Sequence, residues 1–517
     1  MTKPSSREEE TAAEGTAFPG RTYAKAVLEP AYEQAKRELL RPMLAVHKAH
    51  LIMLAEQGLV GEEEAGRIAE ALRKLSPERW RDSVYTGRFE DLFFEVEHEL
   101  LALAGEAAGN LHLGRSRNDI GIAIYRIALR EKLLRTADAA LELHGVLREF
   151  ALRHADTLTI AHTHTQQAQP TTLGHYAAAV ADSLERDLVR LRAAYANVNR
   201  SPLGAAALAT TGFAISRERV AELLAFDDVI ENAYDAVSGA DYVGEAASAA
   251  QLAAVNLGRF VQDLLLWCTQ EFAVLQVAPP YVQISSIMPQ KRNPVSIEHA
   301  RSLLSAAAGD AQTVLRLIHN TPFGDIVDTE DDLQPYAWSG LAKLEAVCRL
   351  LAKVIGTIEV DAELLSRRAR SSFASVTELA DTLVRREGLP FRAAHAVVSH
   401  AVAALDARGA TVAEFTLDVL NEAARIVVGR PLALTGEELK EALDPEHFVR
   451  VRSLRGGPNA DEVRRALREQ ELRHGKLRRW KDDRSERIAR SFAELDSRIG
   501  SLARVREPLR EPLEEEA

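Results

Sequence analysis

The sequence predicts a mainly α-helical protein organised around a central bundle of long helices, and three observations predict it. First, stretches at 120–154, 172–195, 237–271, 295–317 and 336–369 repeat apolar residues at three- and four-residue steps, and each is longer than twenty residues. Second, glycines are few in those stretches and strand-like alternation is scarce, so the long elements are expected to pack side by side. Third, 46% of the 517 residues are hydrophobic and 27% are charged, which suits a large core under a wetted surface. A chain of this length has room for about three domains.

Taken in order, residues 1–20 are rich in Glu, Ser, Thr and Ala without periodic apolar positions and read as disordered. Residues 21–114 carry short helical patterns, such as 51–57 and 62–75, and are expected to form an N-terminal helical domain. The pattern breaks at 109–114, and the central helical bundle domain is assigned to 115–370. Shorter helices around 377–386, 391–405 and from 453 onward mark a C-terminal helical domain at 371–470, where Gly456-Gly457-Pro458-Asn459 is a stop and turn signal. The tail, 471–517, alternates Arg/Lys with Glu/Asp and reads as a solvated helix with i,i+4 pairs.

The net charge of −12 argues against a nucleic-acid partner, which normally requires a basic face. Cys268 and Cys348 sit in apolar helical contexts as expected buried thiols, which fits a reducing compartment, and no metal-ligand spacing is evident. No apolar stretch approaches a membrane span, and the polar, acidic N-terminus is unlike a signal peptide. The expectation is a cytoplasmic protein, with no metal, no cofactor, no nucleic acid and no membrane.

Four polar islands interrupt the apolar helical text. The most informative is Ser285-Ser286-Ile287-Met288-Pro289-Gln290-Lys291-Arg292-Asn293-Pro294, which gathers two hydroxyls, two cations and two amides around two prolines, directly before a helical pattern at 295–300. A loop of that composition feeding a helix N-terminus suits a carboxylate ligand, because unpaired N–H groups and the helix dipole favour negative charge there. The second island, His112-Leu113-Gly114-Arg115-Ser116-Arg117-Asn118-Asp119, can clamp a carboxylate in bidentate fashion or serve as a helix cap with ordinary ion pairs. The third, His162-Thr163-His164-Thr165-Gln166-Gln167-Ala168-Gln169-Pro170, lacks a third metal ligand and suits proton handling better. The fourth, 231–238, reads as a cap supplied by Asp235 or Ser238.

Together with Pro202-Leu203-Gly204 and Asp235-Ala236-Val237-Ser238, these islands resemble the fumarase/aspartase superfamily, and within it the argininosuccinate lyase family, over roughly residues 23–458. The resemblance implies three-domain subunits whose central long-helix bundles form a twenty-helix core in a homotetramer, with each active site assembled from segments of three subunits. It implies a carbon–nitrogen lyase that splits an N-substituted aspartate into fumarate and an amine by anti β-elimination. A proton must leave a carbon next to a carboxylate, which becomes feasible when the charge delocalises into that carboxylate as an aci-carboxylate. By resemblance, Ser285 is the base, with Ser286 its less favoured neighbour. Its alkoxide must be favoured by desolvation and nearby donors. Lys291 and Asn293 hold the aci-carboxylate, Arg117, Asn118 and Thr163 grip the substrate carboxylates, and Ser286, Met288 and Gln166 also contact substrate. His164 is oriented by Glu298 and binds substrate or assists proton delivery. The resemblance points to no particular general acid.

The fumarate-handling half of the family pattern is intact, whereas the amine-handling half is not. The family's Asp-Ile-x-Gly-Ser-x-Ala-His aligns by eye with 43–50, so its substrate-binding serine becomes His47. Its Glu-Asp-(Ile/Val)-His becomes Glu90-Asp91-Leu92-Phe93, and the Tyr, Gln and Lys that contact the arginine portion become Asp325, Glu330 and Leu333. The expected amine is therefore not arginine but another, a diamine or an amino acid, with ethylenediamine-disuccinate lyase as the similar example. The alternatives are a divergent argininosuccinate lyase and a non-catalytic, crystallin-like homologue. Retention of Ser285, Lys291, Asn293, His164 and Glu298 counts against the latter.

Overall fold

The computed structural model describes residues 14, 15 and 17–504. The expected disordered segment at 1–20 falls mostly on residues 1–13 and 16, and the end of the tail on 505–517, outside the described residues. What is described is mainly α. The N-terminal part contributes α1 (Leu40–Glu56), α2 (Glu62–Lys74) and α3 (Leu92–Ala104). The bundle consists of α4 (Arg117–Arg153), α5 (Leu173–Val198), α6 (Asp241–Trp267), α7 (Val295–Ile318) and α8 (Gln334–Thr357). Further on lie α9 (Val376–Glu387), α10 (Phe391–Asp406), α11 (Leu417–Val428) and the 45-residue α12 (Ala460–Arg504).

The start of α4 is fixed by its own sequence. Ser116 caps the helix in a capping box with Asp119, whose Oδ1 accepts the Ser116 N–H at 2.9 Å. The other oxygen of Asp119 accepts the N–H groups of Gly204 (2.8 Å) and Ala206 (3.0 Å), tying the Pro202-Leu203-Gly204 loop to the helix end. Burial raises the Asp119 carboxyl to about 6, against three backbone donors that pull it down.

Two of the expected long helices are broken. The 237–271 stretch divides into Ala233–Ser238 and α6, and Asn232 caps the first piece by accepting from Tyr234 N–H (2.8 Å) and Asp235 N–H (3.3 Å), where Asp235 or Ser238 was expected to cap. The 336–369 stretch stops at Thr357 and restarts at Ala362, with Asp361 as cap. The 162–170 island forms an antiparallel hairpin of β1 (Leu158–Thr163) and β2 (Gln166–Thr172). Its turn residues, His164 and Thr165, both have positive φ (52° and 63°), the backbone of a type I′ turn that ordinarily takes Asn-Gly. A histidine held in that region stores strain, and such strain clusters at functional sites. Gly174, just after the hairpin, is required by packing, since a Cβ there would meet the Ala151 carbonyl at 2.4 Å.

One continuous apolar core spans α1 to α8 and includes Leu467, Leu477, Ile488, Leu495 and Ile499 of α12. The tail is therefore not the solvated helix expected. Its charged face is wet while its apolar stripe is buried, and its ion pairs reach other elements: Arg484 and Arg487 meet Asp227, Lys48 meets Asp496 at 2.6 Å, and Arg498 meets Glu56 at 3.2 Å. A second apolar cluster, between Leu379 and Ala442, belongs to α9–α11 and the segments after them.

The seam between α4 and α12 carries a buried histidine pair. His144 Nδ1 lies 2.9 Å from His474 Nδ1, with near-parallel rings, and His144 is fully buried. Burial, then the neighbouring His474, Arg148 and Arg473, lower His144 to about 3. A base with a depressed folded pKa contributes stability that is complete above its unfolded value near 6.5 and is lost as pH falls below it. At pH 5 the loss from His144 is about 2 kcal/mol. Urea midpoints at pH 7.5 and pH 5 should differ by at least this amount, and His144→Asn should shrink the difference by about 2 kcal/mol, leaving the share of the other buried histidines, His47 and His50 among them. An undiminished difference in the variant would place the acid sensitivity elsewhere.

Candidate active site

The site residues fall into three groups. The first lies at the start of α4. The Asn118 amide donates to the Asp325 carboxylate, Arg117 pairs with Glu90 at 3.2 Å and with Asp91, and the Arg117 guanidinium lies 5.4 Å from the Phe94 ring centre. The loop that carries Asp325 winds into a short π-helical turn, Asp328–Asp332, which places its acids against α4. Tyr125 donates to Asp331, and the Glu330 carboxyl stands beside that of Asp325. Arg117, Gly121 and Tyr125 are spaced four residues apart, so they form one stripe of α4 facing this loop. Burial first, then the hydrogen bond and negative charge of Asp325, raise the Glu330 carboxyl to about 9, so it keeps its proton at neutral pH.

Arg115 is not part of an open carboxylate clamp. It is buried, and its guanidinium donates to His47 Nδ1 at 2.9 Å. His47 has no exposed surface, packs against Phe93 at 5.9 Å between ring centres, and is held well below its usual pKa by burial and by Arg115. His47 is thus a sealed, neutral imidazole that braces Arg115 and offers nothing to a substrate. Leu333 is also fully buried, so it presents nothing to a substrate.

The second group is the tip of the β1–β2 hairpin, where Thr163, His164 and Gln166 are all exposed. Beneath it lies a cavity of about 520 Å³, lined in part by His162, Gln166, Trp267 and Arg368. The third group is the serine loop. Gln283–Ile284 pairs antiparallel with Arg292–Asn293, so the Ser285–Lys291 segment projects as a hairpin before α7. The Ser285 hydroxyl oxygen accepts the N–H of Met288 (3.0 Å) and of Ile287 (3.4 Å). Ser286, Met288 and Lys291 are exposed and Asn293 is half-buried. Met288, Lys291, Asn293 and Glu298 line a second cavity of about 530 Å³ with the end of α6.

Within one chain these groups remain apart. Among the described residues no hydrogen bond or ion pair links the α4 group, the hairpin tip and the serine loop, and His164 is not paired with Glu298. Sequence reasoning missed Tyr125, although its place two turns above Arg117 was an available signal. It also gave no sign that Glu90 and Asp91 would hold Arg117.

The sequence profile of the family described as Lyase matches residues 27–309, and that of the argininosuccinate lyase C-terminal region matches 373–450. The chain is 41% identical over 465 residues to argininosuccinate lyase 2 of Agrobacterium fabrum, covering 87% of this chain and 90% of that one. It is 36% identical over 430 residues to argininosuccinate lyase 1 of Shouchella clausii, covering 83% and 86%. A solved variant of EDDS lyase with bound fumarate superposes with a TM-score of 0.85 at 30% identity, covering 95% of this chain and 97% of that one. The chain therefore belongs to the argininosuccinate lyase family of the fumarase/aspartase superfamily, and it is an enzyme of the carbon–nitrogen lyase class.

Proposed function

We propose that the enzyme reversibly splits an N-substituted aspartate into fumarate and an amine other than arginine: a diamine or similar cation without a carboxylate of its own. The observation that carries the choice of amine is the excess of acid at the start of α4. Asp325, Glu330 and Asp331 gather there, and Arg117, paired with Glu90 and Asp91, has its one free face taken by the succinyl half of the substrate. Arginine would bring its α-carboxylate to this side of the site. Placing like charges together costs several kcal/mol, and the buried Leu333 offers no compensating cation. An ammonium group is attracted by the same acids.

In this reading Ser285 removes the Cβ proton. The two N–H groups aimed at its oxygen would stabilise an alkoxide much as an oxyanion hole does. Lys291 and Asn293 hold the aci-carboxylate. Asn118, Thr163 and Arg117, the last by releasing the half-exposed Glu90, take the substrate carboxylates. His164, on its strained turn, is presented to substrate with Glu298 behind it. Because the three groups are apart in one chain, the reading requires a homotetramer in which different subunits supply them.

A second reading, a divergent argininosuccinate lyase, is favoured by the 41% identity to an enzyme of that name. Incubating the purified enzyme with fumarate and a panel of amines, while following fumarate absorbance, distinguishes the two. Loss of absorbance with diamines supports the proposal. Inert diamines together with rapid arginine release from argininosuccinate would establish the second reading.

A further inference from the structure

Elimination from an amine leaves a balance to be closed. The base takes a proton from Cβ, the C–H electron pair becomes the new C=C bond, and the C–N pair departs with nitrogen. An alkylamine does not leave as an anion, so a neutral nitrogen must receive a proton as the bond breaks. Ser285 is occupied in removing a proton, and His164 and Lys291 lie with the fumarate-handling groups. On the amine side, the group best placed is a carboxyl of the 325–332 loop. Glu330 is half-buried, flat against α4, with Oε1 3.7 Å from where a Cβ on Gly121 would stand. The absence of a side chain at Gly121 keeps that face open. Asp325 bridges Glu330 to Asn118, and Tyr125 occupies Asp331 from the next turn.

We propose that Glu330 is the catalytic acid that delivers a proton to the departing nitrogen, with Asp325 as the positioning residue that orients it. The assignment rests on the preceding reading that the amine half of the substrate sits at the start of α4. A half-buried carboxyl beside a carboxylate is the pattern by which one fold supplies an acid at neutral pH, and burial with the neighbouring Asp325 raises Glu330 to about 9. After transfer, the Glu330 carboxylate stands beside Asp325, and their repulsion favours its reprotonation from solvent. The proton lost from Cβ to Ser285 returns to solvent, so the cycle is balanced without another reactant.

The test compares two substrates: N-(2-aminoethyl)aspartate, whose nitrogen needs a proton to leave, and 2-chlorosuccinate, whose chloride does not. Glu330→Gln keeps size and hydrogen bonding but holds no transferable proton. Its rate on the amine substrate should fall by about a hundredfold or more, while chloride release changes less than about threefold. The basic limb of the kcat/KM–pH profile near pH 9 should disappear in the variant, and Glu330→Asp should recover part of the rate. If Glu330→Gln slows both substrates alike, or leaves the basic limb unchanged, Glu330 is not the acid. If the unaltered enzyme releases chloride yet leaves N-(2-aminoethyl)aspartate intact, the amine reading itself fails and the Glu330 assignment falls with it.

Discussion

Replacing Ser285 with alanine is expected to lower kcat by about a thousandfold or more, with KM changed only a few-fold and the fold intact. The hydroxyl's recorded partners are the Ile287 and Met288 N–H groups of its own loop, so its removal releases two local hydrogen bonds in an exposed segment and costs little stability. The chemistry, in contrast, loses its base. Two N–H groups converging on one oxygen are wasted on an ordinary hydroxyl but well spent on an alkoxide, which is the state that removes a carbon-bound proton. Binding survives because Asn118, Thr163, Lys291 and Asn293 are untouched. Ser286→Ala is the control: that side chain is exposed, and a change of only a few-fold is expected. Fumarate release and thermal unfolding report on the two sides of the comparison. If Ser285→Ala retains more than a tenth of the normal rate, the base lies elsewhere.

Much of the fold was legible because helix periodicity survives in long apolar stretches: the expected 295–317 helix is Val295–Ile318 and 62–75 is Glu62–Lys74. The missed breaks after Ser238 and Thr357 lie where apolar text continues on both sides, so periodicity alone does not register them. The hairpin at 158–172 was hidden because its tip is wholly polar and its turn uses His164-Thr165 in place of Asn-Gly. In α12 the buried Leu477, Ile488, Leu495 and Ile499 are spaced by whole helical turns, but dense Arg and Glu between them masked the stripe.

The site was legible in its residues and not in its pairings. Asn118 and Asp325 are far apart in sequence, and nothing local to either indicates that they touch. Arg115 resembled a substrate clamp because its role depends on His47 beneath it, a contact across 68 positions. His47 and Phe93 make sense only together, since each fills the space beside the other. Conversely, the acids of the 325–332 loop were visible from the start. What the structure adds is that they stand on the Arg117–Gly121–Tyr125 face of α4.

The central claim, that this acid cluster selects the amine, makes its sharpest prediction for two molecules that differ by one group. Arginine and agmatine share the guanidinium and the carbon chain, and only arginine carries the α-carboxylate. Against Asp325 and Asp331, with Arg117 committed to the succinyl half of the substrate, that carboxylate should cost arginine at least a hundredfold in kcat/KM. The direct measurement is a competition in which the enzyme receives fumarate with equal concentrations of arginine and agmatine, and the two adducts are quantified by mass spectrometry at early times. The account predicts that the agmatine adduct predominates by about a hundredfold; an equal or larger yield of argininosuccinate would contradict it.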